Sequence, residues 1–270
     1  CRQEGIQEVF ATGWMDNGAE TPIDAIWPGL AVFSFLCFHE DLYEEELSTY
    51  FRDCTDGNLE DFLLLDSLDA LFKGSGKNLT ADNPSKYLLY QDPMLGLFDC
   101  HLKDVDTRTY YQSLGDKLKS IAETSGEYQE FFRFYAYLAL VLAQKADLGL
   151  RIKSAYDTGD LSTLKEISGE VIPSILENLA QMHTARENLW FTDTKPFGYE
   201  LLDIRLGGVK TRLESCQRRI RSWMDGRTSR LEELEQERLP YWELDGMNPQ
   251  DPKAELRENF WDKIISGCDL

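Results

Sequence analysis

The chain has 270 residues, of which 42% are hydrophobic and 12% aromatic, so it is long and apolar enough to bury a sizeable core. Its formal net charge of −20 argues against nucleic acid and anionic membrane surfaces as partners, because both are bound through basic patches. The longest nearly uncharged apolar run, Ile26 to Phe38, is shorter than the roughly 20 residues that a membrane span needs.

The first 40 residues predict one strand, one loop and one helix. Gln7 to Thr12 has the composition of a short strand, and Thr21-Pro22 opens a helix that carries the apolar run. A single βα unit has no sheet to join, so either the rest of the sheet precedes residue 1 or the strand is wrongly assigned. The chain begins at Cys1 without an initiator methionine, and we expect it to start inside a longer protein.

The rest of the chain follows a helical pattern. Residues 41–105 predict short helices and a Gly- and Ser-containing linker, Lys73 to Pro84. Residues 106–270 predict a helical C-terminal domain with three long helices, namely Glu127 to Tyr156, a helix capped by Asp160, and Phe197 to Asp225. The predicted fold class is therefore mainly α.

The last of these helices carries an apolar seam. Its apolar residues stand alternately three and four apart, which is typical of a helix in a bundle: Leu202, Leu206, Val209, Leu213, Cys216, Ile220 and Trp223. Long apolar seams also suit isologous pairing of two copies, so a homodimer is one expected assembly.

Cysteine and histidine placement gives no sign of a metal site or cofactor. The six cysteines form no C-x-x-C pair and are expected to be reduced, which favours the cytoplasm. The three histidines, His39, His101 and His183, are far apart in sequence and have no ligand spacing around them.

The loop from Trp14 to Glu20 has the residue types of a sugar site. Trp14 stands beside Asp16 and Asn17, with Glu20 at the end of the loop. Sugars stack their C–H faces on an aromatic ring, and their hydroxyls donate to carboxylates. The alternative is a capping loop whose tryptophan belongs to the core.

Three stretches in this order resemble bacterial family 20 β-N-acetylhexosaminidases. Ala11 to Glu20 resembles the "A-T-x-W-G-D-[DN]-G-x-E" pattern at the end of the eighth barrel strand, with Met15 in place of the usual glycine. Ser85 to Asp99 and Lys195 to Gly208 resemble the helical C-terminal domain of one branch of that family.

The resemblance implies the end of a (β/α)8 barrel, its last strand and helix, in residues 1–40. It also implies a retaining β-N-acetylhexosaminidase that removes terminal β-linked N-acetylglucosamine or N-acetylgalactosamine by substrate-assisted catalysis. Trp14 would form a wall of the sugar pocket, Asp16 would accept from the O4 or O6 hydroxyl, and Glu20 would be a third substrate-binding residue.

The family's catalytic Asp-Glu pair has no counterpart in this sequence. It belongs to a His-x-Gly-Gly-Asp-Glu type motif on the fourth barrel strand, and this sequence contains no such motif. We therefore expect no catalytic residue in this chain and no activity from these 270 residues alone. Two other functions stay open, a non-catalytic helical protein-interaction module and a carbohydrate-binding module.

Overall fold

Helices make up nearly all of the regular structure in the computed structural model. It describes residues 1, 3–13, 20–71, 84–96, 98–102 and 105–238, and of residues 100 and 101 it describes the backbone only. The chain divides into two units, Cys1–Leu65 and Asp66–Leu270, called unit 1 and unit 2 below. This confirms the mainly α fold class, while the division at residues 40 and 105 stays a prediction.

Unit 1 contains three α-helices in its described residues: α1 (Trp27–Phe38), α2 (Glu44–Thr55) and α3 (Leu59–Leu63). Helix α2 packs against α1 and α3. Its side chain Phe51 is fully buried and meets Phe62 of α3 edge to face, with ring centroids 5.2 Å apart. A 3-10 turn, Ile23–Ile26, leads into α1, and Pro22 rather than Thr21 occupies its N-cap position.

The predicted strand at residues 7–12 does not form. Residues 6–13 have no regular secondary structure, and the described part of the chain contains no strand with which they could pair. A lone strand leaves its backbone groups without partners, which is why the strand pattern does not produce a strand in this chain.

Unit 2 contains eight α-helices in its described residues. They are α4 (Pro84–Tyr90), α5 (Thr107–Ala122), α6 (Gln129–Lys145), α7 (Leu148–Thr158), α8 (Leu161–Glu166), α9 (Ile172–Asp193), α10 (Tyr199–Met224) and α11 (Glu232–Glu235). The predicted helix over 127–156 is two helices, α6 and α7, and α5 was not predicted as a separate helix.

Local sequence explains several helix ends in unit 2. Asp160 caps α8 as predicted, since its side chain accepts from the Thr163 N–H, and Gly226 has the positive φ expected at the end of α10. A π-turn, Ile167–Val171, lies immediately before α9, and Pro173 follows in the first turn of α9, where its missing N–H costs no helical hydrogen bond.

The core of unit 2 is built around α6, which packs against α5 and α9. Gly115 on α5 allows close approach, because a Cβ there would lie 2.8 Å from Leu140 of α6. The predicted seam of α10 is buried inside unit 2 from Leu202 to Ile220, and its last member, Trp223, is half-buried. The homodimer stays a prediction, and this seam is already occupied within the chain.

None of the helices in the described residues is both long enough and apolar enough to cross a membrane.

Candidate functional site

The three predicted sugar-binding residues are only partly within the described structure. Trp14 and Asp16 lie outside the described residues. Glu20 is described and half-buried, and it lies three residues before the 3-10 turn that leads into α1. The structure therefore locates Glu20 alone of the three, and the roles of all three stay predictions.

The residues before and after the loop lie close together in unit 1. A Cβ placed on Gly13 would lie 3.4 Å from Ile26 Cδ1. On the far side, Pro22 is buried and the indole Nε1 of Trp27 donates to Asp24 Oδ1 over 2.7 Å. Gly13 thus lies beside the turn that leads into α1, and the Trp27–Asp24 bond stabilises that turn.

Unit 1 leaves an unusual share of its large apolar side chains in solvent. Phe10 is 87% exposed and Phe38 is 85% exposed. Further exposed apolar side chains of this unit are Ile6, Val9, Ile23, Leu36, Leu42, Tyr43 and Leu63. Helix α1 is apolar on all sides, a pattern typical of a fully buried helix, yet only Ala31 and Phe35 are buried.

Unit 2 contains a buried polar cluster around the turn that follows α4. Lys145, only 2% exposed, donates from Nζ to the carbonyl oxygens of Leu88 and Gln91 at 3.1 and 2.7 Å. Gln91 in turn donates from Nε2 to Ala146 O over 2.7 Å and accepts from the Phe98 N–H over 3.2 Å. These bonds tie α4 to the junction between α6 and α7.

Asp92 shapes the same turn and connects it to α10. Its Oδ1 accepts from the backbone N–H groups of Met94 and Leu95 at 2.8 and 2.9 Å, and its Oδ2 accepts from Arg212 Nε at 2.7 Å. Burial by itself would raise the pKa of Asp92, but the hydrogen bond and charge of Arg212 and the two backbone N–H groups lower it below its ordinary value.

A second ion pair joins the end of the described chain to this turn. Arg238 Nε lies 3.2 Å from Asp99 Oδ2, and both side chains are nearly inaccessible, at 8% and 1% exposure. Arg238 Nη1 also donates to Met94 O over 2.8 Å. The pair fits here only because residue 149 is a glycine: a Cβ at Gly149 would lie 2.4 Å from Arg238 Nη2 and 2.6 Å from Asp99 Oδ2, which is too close.

The segment before Arg238 is held by further pairs. Residues Glu232–Glu235 form the short helix α11, which is bonded to α7 and α10. Arg219 of α10 donates to Glu233 over 2.8 Å, and Tyr156 of α7 donates to Glu235 over 2.7 Å. The fully buried Leu231 and Leu234 anchor the segment.

The stretch Lys195 to Gly208 forms the corner between α9 and α10. Trp190 donates from Nε1 to Lys195 O over 2.7 Å, and Gly198 adopts a φ of 100° at the N-cap of α10. Tyr199, 4% exposed, packs against Trp190 and Phe191. This stretch therefore shapes the fold at the corner.

The chemistry of the described polar groups in this cluster is structural. Its carboxylates are engaged by Arg212 and Arg238, and its lysine is engaged by carbonyl oxygens. Within the ranges described, no group of three or more His, Cys, Asp or Glu is arranged to hold a metal ion. The cluster was not predicted from the sequence. The one local indication of it is the polar pair Gln91-Asp92, which stands within an otherwise apolar and aromatic stretch.

Comparison with known families identifies the helical part of the chain. The family model described as the glycoside hydrolase 20C C-terminal domain matches residues 60–252, which include the buried polar cluster and the α9–α10 corner. A search of curated proteins finds no match. The matched range covers most of the chain, and the chain accordingly belongs to the family 20 glycoside hydrolases, of which it contains the C-terminal domain.

Proposed function

We propose that this chain is the C-terminal part of a retaining β-N-acetylhexosaminidase that hydrolyses terminal β-linked N-acetylglucosamine or N-acetylgalactosamine. The observation that carries the proposal is the match of residues 60–252 to the glycoside hydrolase 20C C-terminal domain. The partner is accordingly a glycan that contains N-acetylhexosamine, and the chemistry is substrate-assisted, with the 2-acetamido oxygen of the sugar as the nucleophile.

In this proposal residues 1–40 are the last strand and helix of a (β/α)8 barrel. The exposed apolar side chains of unit 1 support it, because single exposed hydrophobic residues are common but a concentration of them marks a surface that another body covers. Residues 7–12 would gain strand partners from the preceding barrel strand and the first one. Phe10 and Phe38 would then be buried.

The sugar-binding residues of the proposal are Trp14, Asp16 and Glu20. Residues that follow a barrel strand lie at the catalytic end of the barrel, where a tryptophan and two carboxylates suit a hydroxylated ring. Since the sequence has no His-x-Gly-Gly-Asp-Glu motif, the proposal places the catalytic Asp-Glu pair before residue 1. The described structure contributes the position of Glu20 and of the loop's two flanks.

The test compares two proteins in the hydrolysis of a chromogenic N-acetyl-β-glucosaminide. One is the 270-residue chain, and the other is a protein extended by the upstream coding sequence. We expect turnover only from the extended protein, and Asp16→Ala should lower its kcat/KM by about tenfold to hundredfold. Glu123→Ala, at an exposed residue of the helical unit 2, is the control and should leave turnover unchanged.

Other results would contradict the proposal. An extended protein that binds N-acetylglucosamine without hydrolysing any β-N-acetylhexosaminide would favour the carbohydrate-binding module. An extended protein that neither binds nor hydrolyses these sugars would favour the helical interaction module.

A further inference from the structure

The negative charge of the chain is concentrated in unit 1. Residues 1–65 contain 14 Asp and Glu but only two Lys or Arg, namely Arg2 and Arg52, so about a quarter of the chain carries −12 of the net charge of −20. The other 205 residues carry −8, from 34 acidic and 26 basic residues. Solubility alone does not explain why the charge is concentrated in the unit that contains the predicted sugar-binding residues.

The start of α1 lies beside both ends of the loop from Trp14 to Glu20. Gly13 precedes the loop, and a Cβ placed on it would lie 3.4 Å from Ile26 Cδ1. Glu20 ends the loop, three residues before the 3-10 turn that leads into α1. A charged group near the start of α1 is therefore also near the two ends of this loop.

The end of α2 lies toward the start of α1. Five residues join the two helices, a length typical of an antiparallel helix pair. In keeping with this arrangement, Ser34 Oγ lies 3.0 Å from Tyr50 Oη, and the rings of Phe35 and Tyr50 meet with centroids 5.8 Å apart. Beyond Tyr50, α2 therefore runs alongside the first half of α1 and ends near its start.

Exposed carboxylates are grouped at this end of unit 1. Asp53 lies in the last turn of α2, Asp56 directly follows that helix, and Glu60 lies in the first turn of α3, and all three are exposed. Helix α3 belongs to the same end, because it packs against both α1 and α2. Arg52 is also exposed here and offsets only one of these charges. Asp53, Asp56 and Glu60 are called the acidic end of unit 1 below.

We propose that the acidic end of unit 1 makes the proposed hydrolase select neutral and ammonium-bearing glycans over anionic ones, such as sulfated or carboxylated glycans. These carboxylates do not bind the substrate themselves but repel its negative charge as it approaches the loop. The inference rests on the proposed function and adds the charge class of its substrate. Because the repulsion acts through water, it should weaken as salt is added.

The test uses the protein extended by the upstream coding sequence and three chromogenic N-acetyl-β-glucosaminides. Their 4-nitrophenyl aglycones differ only at position 3, which carries a carboxamide, a carboxylate or an aminomethyl group. We expect the ratio of kcat/KM for the carboxylate substrate to kcat/KM for the carboxamide substrate to rise about threefold to tenfold between ionic strengths of about 10 mM and about 0.5 M. The corresponding ratio for the aminomethyl substrate should fall. Differences in the chemical reactivity of the aglycones cancel, because the same compounds are compared at both ionic strengths.

Two variants with the same change of charge locate the effect within unit 1. Asp53→Lys with Asp56→Asn changes the charge at the end of α2, and asparagine accepts the left-handed φ of 55° found at Asp56. Glu45→Lys with Glu46→Gln makes the matched change at the start of the same helix, about 12 Å or more away along its axis. At about 10 mM ionic strength the first variant should raise the carboxylate-to-carboxamide ratio about twofold to threefold, and the second by less than about 1.5-fold. Both should hydrolyse the carboxamide substrate as the unaltered protein does.

The proposal is overturned if the carboxylate-to-carboxamide ratio does not change with salt, or if the first variant changes it no more than the second. In either case, hydrolysis of the carboxamide substrate would still support the hydrolase function. An extended protein that hydrolyses none of the three substrates would contradict the hydrolase function, and the selection by charge with it. The two failures are therefore distinguishable.

Discussion

Arg212 on α10 donates from Nε to Asp92 Oδ2 over 2.7 Å, which ties the turn after α4 to a helix much later in the chain. Asp92 is buried at 6% exposure, whereas Arg212 keeps 48% of its side chain in solvent. The arginine can thus reach water without Asp92, but the carboxylate has little access to water without Arg212. Removing Arg212 should therefore cost more stability than removing Asp92, because it leaves a buried carboxylate without its charged partner.

Replacing the arginine should destabilise unit 2. Arg212→Met retains the aliphatic stem and leaves Asp92 without its charged donor, so the free energy of unfolding should fall by about 2 kcal/mol. Urea denaturation followed by circular dichroism measures it. Arg227→Met is the control, since the Arg227–Asp225 pair is solvent-exposed and should contribute less than about 0.5 kcal/mol. Equal effects of the two variants would contradict the structural role assigned to the Asp92–Arg212 pair.

The same pair predicts a pH dependence of stability. The pKa of Asp92 is lowered in the folded chain, so the folded state binds its proton less readily than the unfolded state does. Its stabilising contribution is complete above the unfolded value of about 3.9 and is lost as the pH falls through the folded value. The stability advantage of the unaltered chain over Asp92→Asn should therefore be constant between about pH 6 and about pH 8, where the carboxyl is ionised in both states, and shrink below about pH 4. An advantage that is unchanged at about pH 3 would contradict this assignment.

Replacing Gly149 or Gly207 by alanine should have opposite effects on the stability of the chain. Gly149→Ala would place a Cβ 2.4 Å from Arg238 Nη2 and 3.0 Å from Pro93 O, and should destabilise the chain by about 1 to 3 kcal/mol. Gly207→Ala, in the middle of α10, meets nothing within 4 Å and should stabilise it by about 0.5 to 1 kcal/mol. Thermal unfolding of both variants checks this. A stabilising Gly149→Ala would mean that the Asp99–Arg238 pair is not held in the described geometry.

The exposed phenylalanine of α1 tests the assignment of unit 1. Phe38→Ser should change the stability of the 270-residue chain by no more than about 0.5 kcal/mol, because Phe38 is 85% exposed. In a protein extended upstream, the same change should cost about 2 kcal/mol or more, as for a buried apolar side chain. Phe35→Ala is the positive control, since Phe35 is 2% exposed and the change should destabilise both proteins. A neutral Phe38→Ser in the extended protein would count against the barrel.

Local patterns in the sequence predicted much of the helical architecture. The alternating spacing of Leu202 to Ile220 identified a buried face of α10, and Asp160 identified a helix start, because both depend on residues within one or two turns. The boundary between α6 and α7 was missed, since apolar residues continue through it at helical spacing. The strand predicted at residues 7–12 does not form in the described structure, because a strand needs a partner strand and the local pattern cannot supply one.

The buried polar cluster could not be derived from the sequence. Asp92 and Arg212, and likewise Asp99 and Arg238, are far apart in the chain, and nothing in either local pattern indicates its partner. The loop that is predicted to bind sugar is the opposite case. Its three candidate residues, Trp14, Asp16 and Glu20, stand within seven positions of one another, so the residue types alone indicate the chemistry of the loop.

The most direct test of the central claim is the rate of hydrolysis of a chromogenic N-acetyl-β-glucosaminide, measured with the 270-residue chain and with the upstream-extended protein at equal concentrations. We predict turnover from the extended protein alone, reduced by Asp16→Ala and restored in part by Asp16→Glu. Turnover by the 270-residue chain that survives Asp16→Ala and repeated purification, or an extended protein without any hydrolase activity, would contradict the claim.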